Sequence, residues 1–494
     1  MIPKQRKQVT GAEWKERVGT REKSTRERIP RKLLSVGKDP DHPTDQQART
    51  SKESLKWMEA RKAERNQLQQ YGVYSIVEKL PSGVTPVDTK WVYVVKRDAK
   101  GNVIQYKARK VGRGFTQEYG INYDETYSQM ARPETWRILL TLMVQRKWKI
   151  QQWDVVAAYL QADLRHEVYV EDTTEEGEKE YWKLHKALYG LKQAGYEWYM
   201  KLRGILEDIG FHACIGDPGC YVNTKTKTIV CTHVDDLVAF GPDGDALDTT
   251  AFQIEKEVEL KKSGRPSKLL GMELTWDLEN GTVKLTQQGL IANTMKAHQL
   301  AWDTVPIYSL PVDPLMYEGE VHQKGEGNSE KARYGQILGS LLFIARQTRP
   351  EVSVHMSLLG RRVTHPSEYN IKAAVRILQY LSSTNKEGIH FSHASFAGLP
   401  DQVELKIYVD ASYGGEESRS QTGVLVTLND QPINWYSRRQ DLVTQSATEA
   451  EYVACAEGAK DASWGRQFLE ELLGVKLQPV VYTDNNAAEK LCKT

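Results

Sequence analysis

Residues 228–241 read Thr-Ile-Val-Cys-Thr-His-Val-Asp-Asp-Leu-Val-Ala-Phe-Gly. Two apolar, β-branched runs flank an adjacent acid pair, Asp235 and Asp236, so the stretch predicts a β-hairpin with carboxylates at a tight tip where Asn-Gly would be ordinary. Like charges this close raise each other's pKa unless donors or a cation offset them, and hard divalent cations prefer carboxylate oxygens. An acidic surface turn would carry the same two residues without binding anything. The choice between these readings depends on the rest of the chain.

Working outward, the next acid in a comparable position is Asp154. It closes the segment Ile-Gln-Gln-Trp-Asp-Val-Val-Ala-Ala-Tyr-Leu at 150–160, which reads as a strand running into a turn. A carboxylate there can meet Asp235 and Asp236 across a sheet. Upstream, Arg132-Pro133 opens a helix whose Trp136, Leu139, Leu140 and Met143 recur at helical spacing and predict one buried face. Further back, 91–96 alternates and meets the turn Asp-Ala-Lys-Gly-Asn at 98–102, with a second strand from Val103. Period two puts Lys107, Arg109, Val111 and Arg113 on one face of that strand. Cations in line on a strand face suit a triphosphate, and also suit an exposed edge strand kept soluble by charge. Gly112 and Gly114 lack the third glycine and following helix of a dinucleotide loop. The aromatic segment at 181–199 reads as core packing.

Composition sets the frame. The chain has 494 residues, 40% of them hydrophobic, enough for two to four domains with real cores. The longest apolar run, 138–144, falls far short of the roughly 20 residues that span a bilayer. Five cysteines form no CxxC pair and predict reduced thiols; His212, Cys214 and Cys220 match no zinc-ribbon or finger spacing. The net charge is only +2, yet residues 1–40 carry 12 Lys or Arg against 5 Asp or Glu. Such an arm, taken here as 1–50, predicts disorder and attraction to polyanions. Residues 51–70 predict an exposed helix anchored by Leu55, Met58 and Leu68.

Beyond Trp276 come an Asn280-Gly281 hairpin and a Pro-punctuated linker from 306 to 314. Two helices follow, with Ile337, Leu338 and Leu341 in the first and Ile377, Leu378 and Leu381 in the second. From Val403 a second set of acids emerges: Asp410 and Asp484 at strand ends, and Glu451 near a helix start. Ser446-Ala-Thr-Glu449 reads as a capping box, which commits Glu449 to its own helix and leaves Glu451 free.

The motifs Lys-Ala-Arg (107–109), Phe-Thr-Gln (115–117), Trp-Asp-Val (153–155), Leu-Tyr-Gly-Leu-Lys-Gln-Ala (188–194), Val-Asp-Asp (234–236) and Leu-Gly-Met-Glu (270–273) occur in an order that resembles the reverse transcriptase of copia-type LTR retrotransposons. Asp410, Glu451 and Asp484 follow in the order of the ribonuclease H of the same elements. The resemblance implies an α+β multidomain chain: a right-hand polymerase with fingers and palm over 51–305, a linker and helical thumb or connection over 306–400, and a C-terminally truncated ribonuclease H-like α/β domain over 401–494. It implies two Mg²⁺ (or Mn²⁺) ions per active site. In the palm they would be held by Asp154, the carbonyl of Val155, Asp235 and Asp236, and in the nuclease by Asp410, Glu451 and Asp484.

Residue by residue, Lys107 and Arg109 match the triphosphate-binding cations. Tyr159 matches the bulky gate that excludes a ribose 2′-hydroxyl, Gln193 a residue near the incoming nucleotide and template, and 270–274 the strand that grips the primer end. The implied partners are an RNA template, a DNA or tRNA primer, an RNA/DNA hybrid and dNTPs, with no membrane, in an intracellular protein of cytoplasmic particles and the nucleus. The family usually has Tyr before Val-Asp-Asp. Here His233 stands in its place, and a charged imidazole, formed near pH ~6.5, would compete with metal charge. A chain ending at Thr494 lacks the family's last strand and helix, so weak or absent hybrid cleavage is expected. Two rival readings are an inactive remnant that binds nucleic acid, and an RNA-dependent RNA polymerase, which Tyr159 disfavours.

Overall fold

The computed structural model describes residues 41–97, 102–175, 177–277, 279–300, 307–313, 315–318, 328–393, 402–414 and 418–493. Most of the basic arm and the 98–101 turn lie outside them. Residues 45–50, expected from sequence to belong to the arm, form a helix. Thr44 and Gln47 form a capping box that starts the helix Asp45–Thr50. Ala48 of that helix is buried, and Asp45 accepts the Tyr93 hydroxyl at 2.5 Å.

The first layer is a five-stranded sheet in the order Tyr74–Val77, Lys179–Lys186, Asp163–Thr173, Val87–Arg97, Val103–Gly112. The helix Ser54–Gln70 lies on it, but not through the expected seam. Leu55 and Met58 are exposed, while Trp57, Arg61, Glu64 and Leu68 are buried. The face beneath explains this. Trp57 packs edge-on against Tyr93 and Tyr106, and Glu64 accepts the main-chain N–H of Lys110 at 3.1 Å. Polar residues therefore fill positions that a hydrophobic period cannot flag. Lys110 points inward, opposite to Lys107 and Arg109, and pairs with the fully buried carboxylate of Asp172, which Arg65 also reaches at 2.8 Å.

The central layer is a six-stranded sheet in the order Leu260–Gly264, Lys149–Val155, Asp236–Gly241, Thr228–His233, Cys220–Asn223, His212–Ala213. Both faces are covered. Val238 and Phe240 belong to one hydrophobic core, Leu237 and Ala239 to the other, which is why the strand after Asp236 is apolar without alternation. Cys214, Cys220 and Cys231 are buried thiols of this layer, and His212 is exposed, apart from them. The helix Pro133–Arg146 starts with proline in its first turn and ends at Lys147 in the left-handed region. It is buried all round from Thr135 to Gln145, because a third unit closes over its outer side.

Downstream, Leu270 and Gly271, both at positive φ, turn the chain between the short strand Lys268–Leu269 and Met272–Asp277. Met272–Asp277 pairs with Thr282–Thr286, and the helices Asn328–Gln347 and Glu368–Ser383 pack with Ile291 and Met295 in a separate core. The helical region then returns the strand Ile389–Ser392 to the edge of the Thr282–Thr286 sheet, so 306–400 is not a detached unit.

The last sheet runs Gln431–Arg439, Gln421–Leu428, Leu405–Ser412, Val480–Tyr482, the final pair parallel. The helix Ala447–Leu473 provides the crossover. A Cβ on Gly458 would lie 2.5 Å from Val409 Cγ1, so this glycine sets how closely helix and sheet approach.

One core joins this last sheet to the central layer. Arg137, buried in the helix Pro133–Arg146, donates to the carbonyls of Ile433 (2.9 Å) and Gln347 (3.2 Å), and its guanidinium lies 4.2 Å from the Trp435 ring. Among the described residues no helix is long and apolar enough to cross a membrane.

Candidate functional site

The hairpin expected at 228–241 forms with His233 and Asp236 as register partners and Val234-Asp235 between them. The same strand register sets Asp236 opposite Asp154 on Lys149–Val155, and Asp154 in turn faces Lys261 on Leu260–Gly264. The three acids named from sequence therefore gather at one end of the central sheet.

Their electrostatics follow from that placement. Burial, then Asp235 and Asp236, push the Asp154 carboxyl above the usual carboxylate range, with Lys261 and Lys107 working against them. Burial also raises Asp236, opposed by a hydrogen bond from Gln152 Nε2 to its Oδ1 at 3.2 Å. Half-buried anions that repel one another are a donor set suited to divalent cations. Their ligand atoms are not all within 4.8 Å of one another, a spacing that only the second acid group reaches among the described residues. Burial lowers the His233 pKa below its ordinary value, against the pull of Asp236 and Asp235. That shift favours the neutral imidazole, the form that adds no charge beside the acids.

The first sheet brings its cations to the same place. Lys107 lies close enough to Asp154 to feel its charge, although burial and Arg109 lower its pKa. Arg109 sits 4.7 Å over the Tyr189 ring, which lies 5.4 Å from Tyr159, and Tyr159 in turn senses Asp235. Gly190 makes this junction possible. Its φ is +86°, and a Cβ there would lie 2.3 Å from the Gly112 carbonyl oxygen, so the Leu-Tyr-Gly motif locks onto the end of the cation-bearing strand. Gln193 is buried and fully engaged. Its Nε2 donates to the Asn122 carbonyl at 2.8 Å and its Oε1 accepts from Gln117 at 2.9 Å, which places it under the 113–122 loop.

Three neighbours of the acids were not anticipated. Gln152 was legible in principle, being two residues before Asp154 and so on the same strand face. Lys261 and Trp198 carry no local signal, because each reaches the site through long-range pairing.

The second group is tighter. Ligand atoms of Asp410, Glu451 and Asp484 all lie within 4.8 Å of one another. Asp410 lies on the inner strand Leu405–Ser412, two residues before its end, Asp484 follows Val480–Tyr482, and Glu451 projects from the first turns of Ala447–Leu473. Glu449 Oε2 accepts from Gln445 N at 2.7 Å while its own N–H donates to Ser446 Oγ, so it is occupied with the helix start as its sequence position implied. Glu451 Oε1 accepts from Ala411 N at 2.9 Å, and its buried Oε2 reaches no donor. Burial and the two aspartates raise its pKa. A buried carboxylate oxygen without a donor, facing two further acids, fits a metal ion.

Residues 71–309 match the family described as "Reverse transcriptase (RNA-dependent DNA polymerase)". The chain is 31% identical over 475 residues to the "Retrovirus-related Pol polyprotein from transposon TNT 1-94" of Nicotiana tabacum, an alignment covering 93% of this chain and 35% of that protein. It is 32% identical over 462 residues to the corresponding polyprotein from transposon RE1 of Arabidopsis thaliana, covering 91% and 30%. It is also 28% identical over 316 residues to the "Putative transposon Ty5-1 protein YCL074W" of Saccharomyces cerevisiae, covering 62% of this chain and 98% of that one. The chain spans about a third of the length of the plant relatives.

Proposed function

We propose that this chain, whose residues 71–309 match the reverse transcriptase family, is an RNA-directed DNA polymerase of a copia-type element, carrying a ribonuclease H-like unit. The observation that carries the reading is the strand register that sets Asp236 opposite Asp154 with Asp235 at the adjoining tip. Asp154, Asp235 and Asp236 would hold two divalent cations, which supply the charge needed to activate a primer 3′-hydroxyl and stabilise the leaving pyrophosphate. Lys107 and Arg109 would bind the triphosphate. Tyr159, tilted at 52° beside Tyr189 and sensing the charge of Asp235, would close the pocket against a ribose 2′-hydroxyl. Template RNA, a DNA or tRNA primer and dNTPs are the matching partners.

Purified protein with Mg²⁺ should extend a primer on an RNA template with dNTPs, and Asp235→Asn should abolish extension while leaving thermal stability near wild type. Equal extension by the variant overturns the site. In the same reading Asp410, Glu451 and Asp484 would bind two further cations and cleave the RNA strand of a hybrid. Glu451→Gln should remove such cleavage without affecting primer extension; loss of both, or of neither, counts against two separate centres.

A further inference from the structure

The acid pair sits on a turn that its own sequence disfavours. Val234 has φ +61° while Asp235 is not at positive φ, the dihedral pattern of a hairpin turn that normally takes glycine at its first central position. A β-branched residue there is strained and persists only if its surroundings hold it.

Two hydrogen bonds do so, one on each side of Asp235. Trp198 Nε1 donates to the Val234 carbonyl at 2.6 Å, which fixes the peptide plane before Asp235. The Val155 N–H donates to the Asp235 carbonyl at 2.9 Å, which fixes the plane after it. With both planes held, the Asp235 side chain leaves the backbone in one direction. The second bond belongs to the strand that carries Asp154. The first comes from an aromatic residue on the helix Ala194–Asp208 that also fills the core, its ring buried with Leu202 and Leu206.

We propose that Trp198 is a positioning residue for metal binding: its indole N–H holds the strained Val234 turn so that Asp235 points at the cations. This rests on the polymerase reading above for the chemistry, but not for the hydrogen bond. Trp198→Phe keeps an aromatic ring in the core, smaller than the indole, and removes the donor. Loss of one neutral hydrogen bond, acting through Asp235, should lower kcat for single-nucleotide extension on the order of tenfold. KM for dNTP should stay within about twofold, since the triphosphate cations are untouched.

Three measurements together decide the matter. Mn²⁺ binding to the protein–primer–template complex, followed by electron paramagnetic resonance, should weaken several-fold in Trp198→Phe. Primer–template affinity and the thermal midpoint should change little. In the wild type, with Trp198 selectively labelled, the indole N–H should resonate downfield and exchange slowly with solvent, a readout that needs no variant. Unchanged Mn²⁺ affinity in a folded variant, or rapid indole exchange in the wild type, overturns the proposal. So does a fall in activity matched by a fall in stability with normal Mn²⁺ affinity, which would mark a merely structural tryptophan. If the wild type fails to extend primers, the polymerase reading falls, while Mn²⁺ binding and indole exchange still judge the role of Trp198.

Discussion

Gly190 and Gly112 touch so closely that a single added carbon on Gly190 would stand 2.3 Å from the Gly112 carbonyl oxygen and 2.4 Å from Val111 Cγ1. The φ of +86° at Gly190 is equally closed to other residues. Gly190→Ala is therefore expected to push the strand Val103–Gly112 away from the 188–192 segment, moving Arg109 and Lys107 with it. Because those cations are proposed to hold the triphosphate, KM for dNTP should rise by roughly tenfold or more, with a smaller change in kcat. Steady-state single-nucleotide extension checks this, and an unchanged KM would separate the glycine from substrate binding.

Lys110 and Asp172 form an ion pair with almost no solvent contact, beneath the helix Ser54–Gln70. Removing Asp172 strands the Lys110 ammonium in the core, whereas removing Lys110 leaves Asp172 paired with Arg65 and Thr89. Asp172→Leu should cost about 3–5 kcal/mol of stability, and adding Lys110→Met to it should recover much of that loss. Urea denaturation followed by tryptophan fluorescence reports both, since Trp91 lies 4.9 Å from the Lys110 ammonium.

The Tyr159 ring lies 5.4 Å from Tyr189, and Tyr159 senses the charge of Asp235. Tyr159→Val is expected to leave dNTP extension within a few-fold of wild type and to raise incorporation of rNTPs by at least roughly tenfold, corresponding to about 1.4 kcal/mol of lost discrimination. Parallel assays with dATP and ATP on one template measure the ratio. No change in that ratio would place the sugar gate elsewhere.

Much of the acid geometry was legible because strands report their own faces. Asp154, Asp235 and Asp236 lie at or next to strand ends and Asp410 and Asp484 within two residues of one, where period and turn signals mark candidates and the order of the motifs selects among them. What escaped the sequence was decided by neighbours. The buried seam of Ser54–Gln70 runs through Arg61 and Glu64, charges that satisfy hydrogen bonds in the sheet below, so hydrophobic periodicity chose Leu55 and Met58 instead. The helix Pro133–Arg146 read as one-sided, since nothing local announces that a strand some 300 residues on will cover its other face. Trp198 read as packing alone, because a hydrogen bond to a distant turn leaves no trace in spacing. Gln193 is likewise positioned by partners at Gln117 and Asn122 that no local pattern joins to it.

Arg137 gives its hydrogen bonds to carbonyls on two other parts of the chain, and the core around it mixes residues of its own helix such as Ile138 and Leu142 with Ile433 and Trp435 of the last sheet. A boundary drawn through that core has no clean side. Cutting the gene near residue 400 would give an upstream product with a naked apolar helix and a downstream product with an exposed indole, and both would tend to aggregate. Exchange of the last sheet for another would succeed only when the recipient brings a helix that matches Pro133–Arg146. The two parts are thus constrained to fold, and to vary, together.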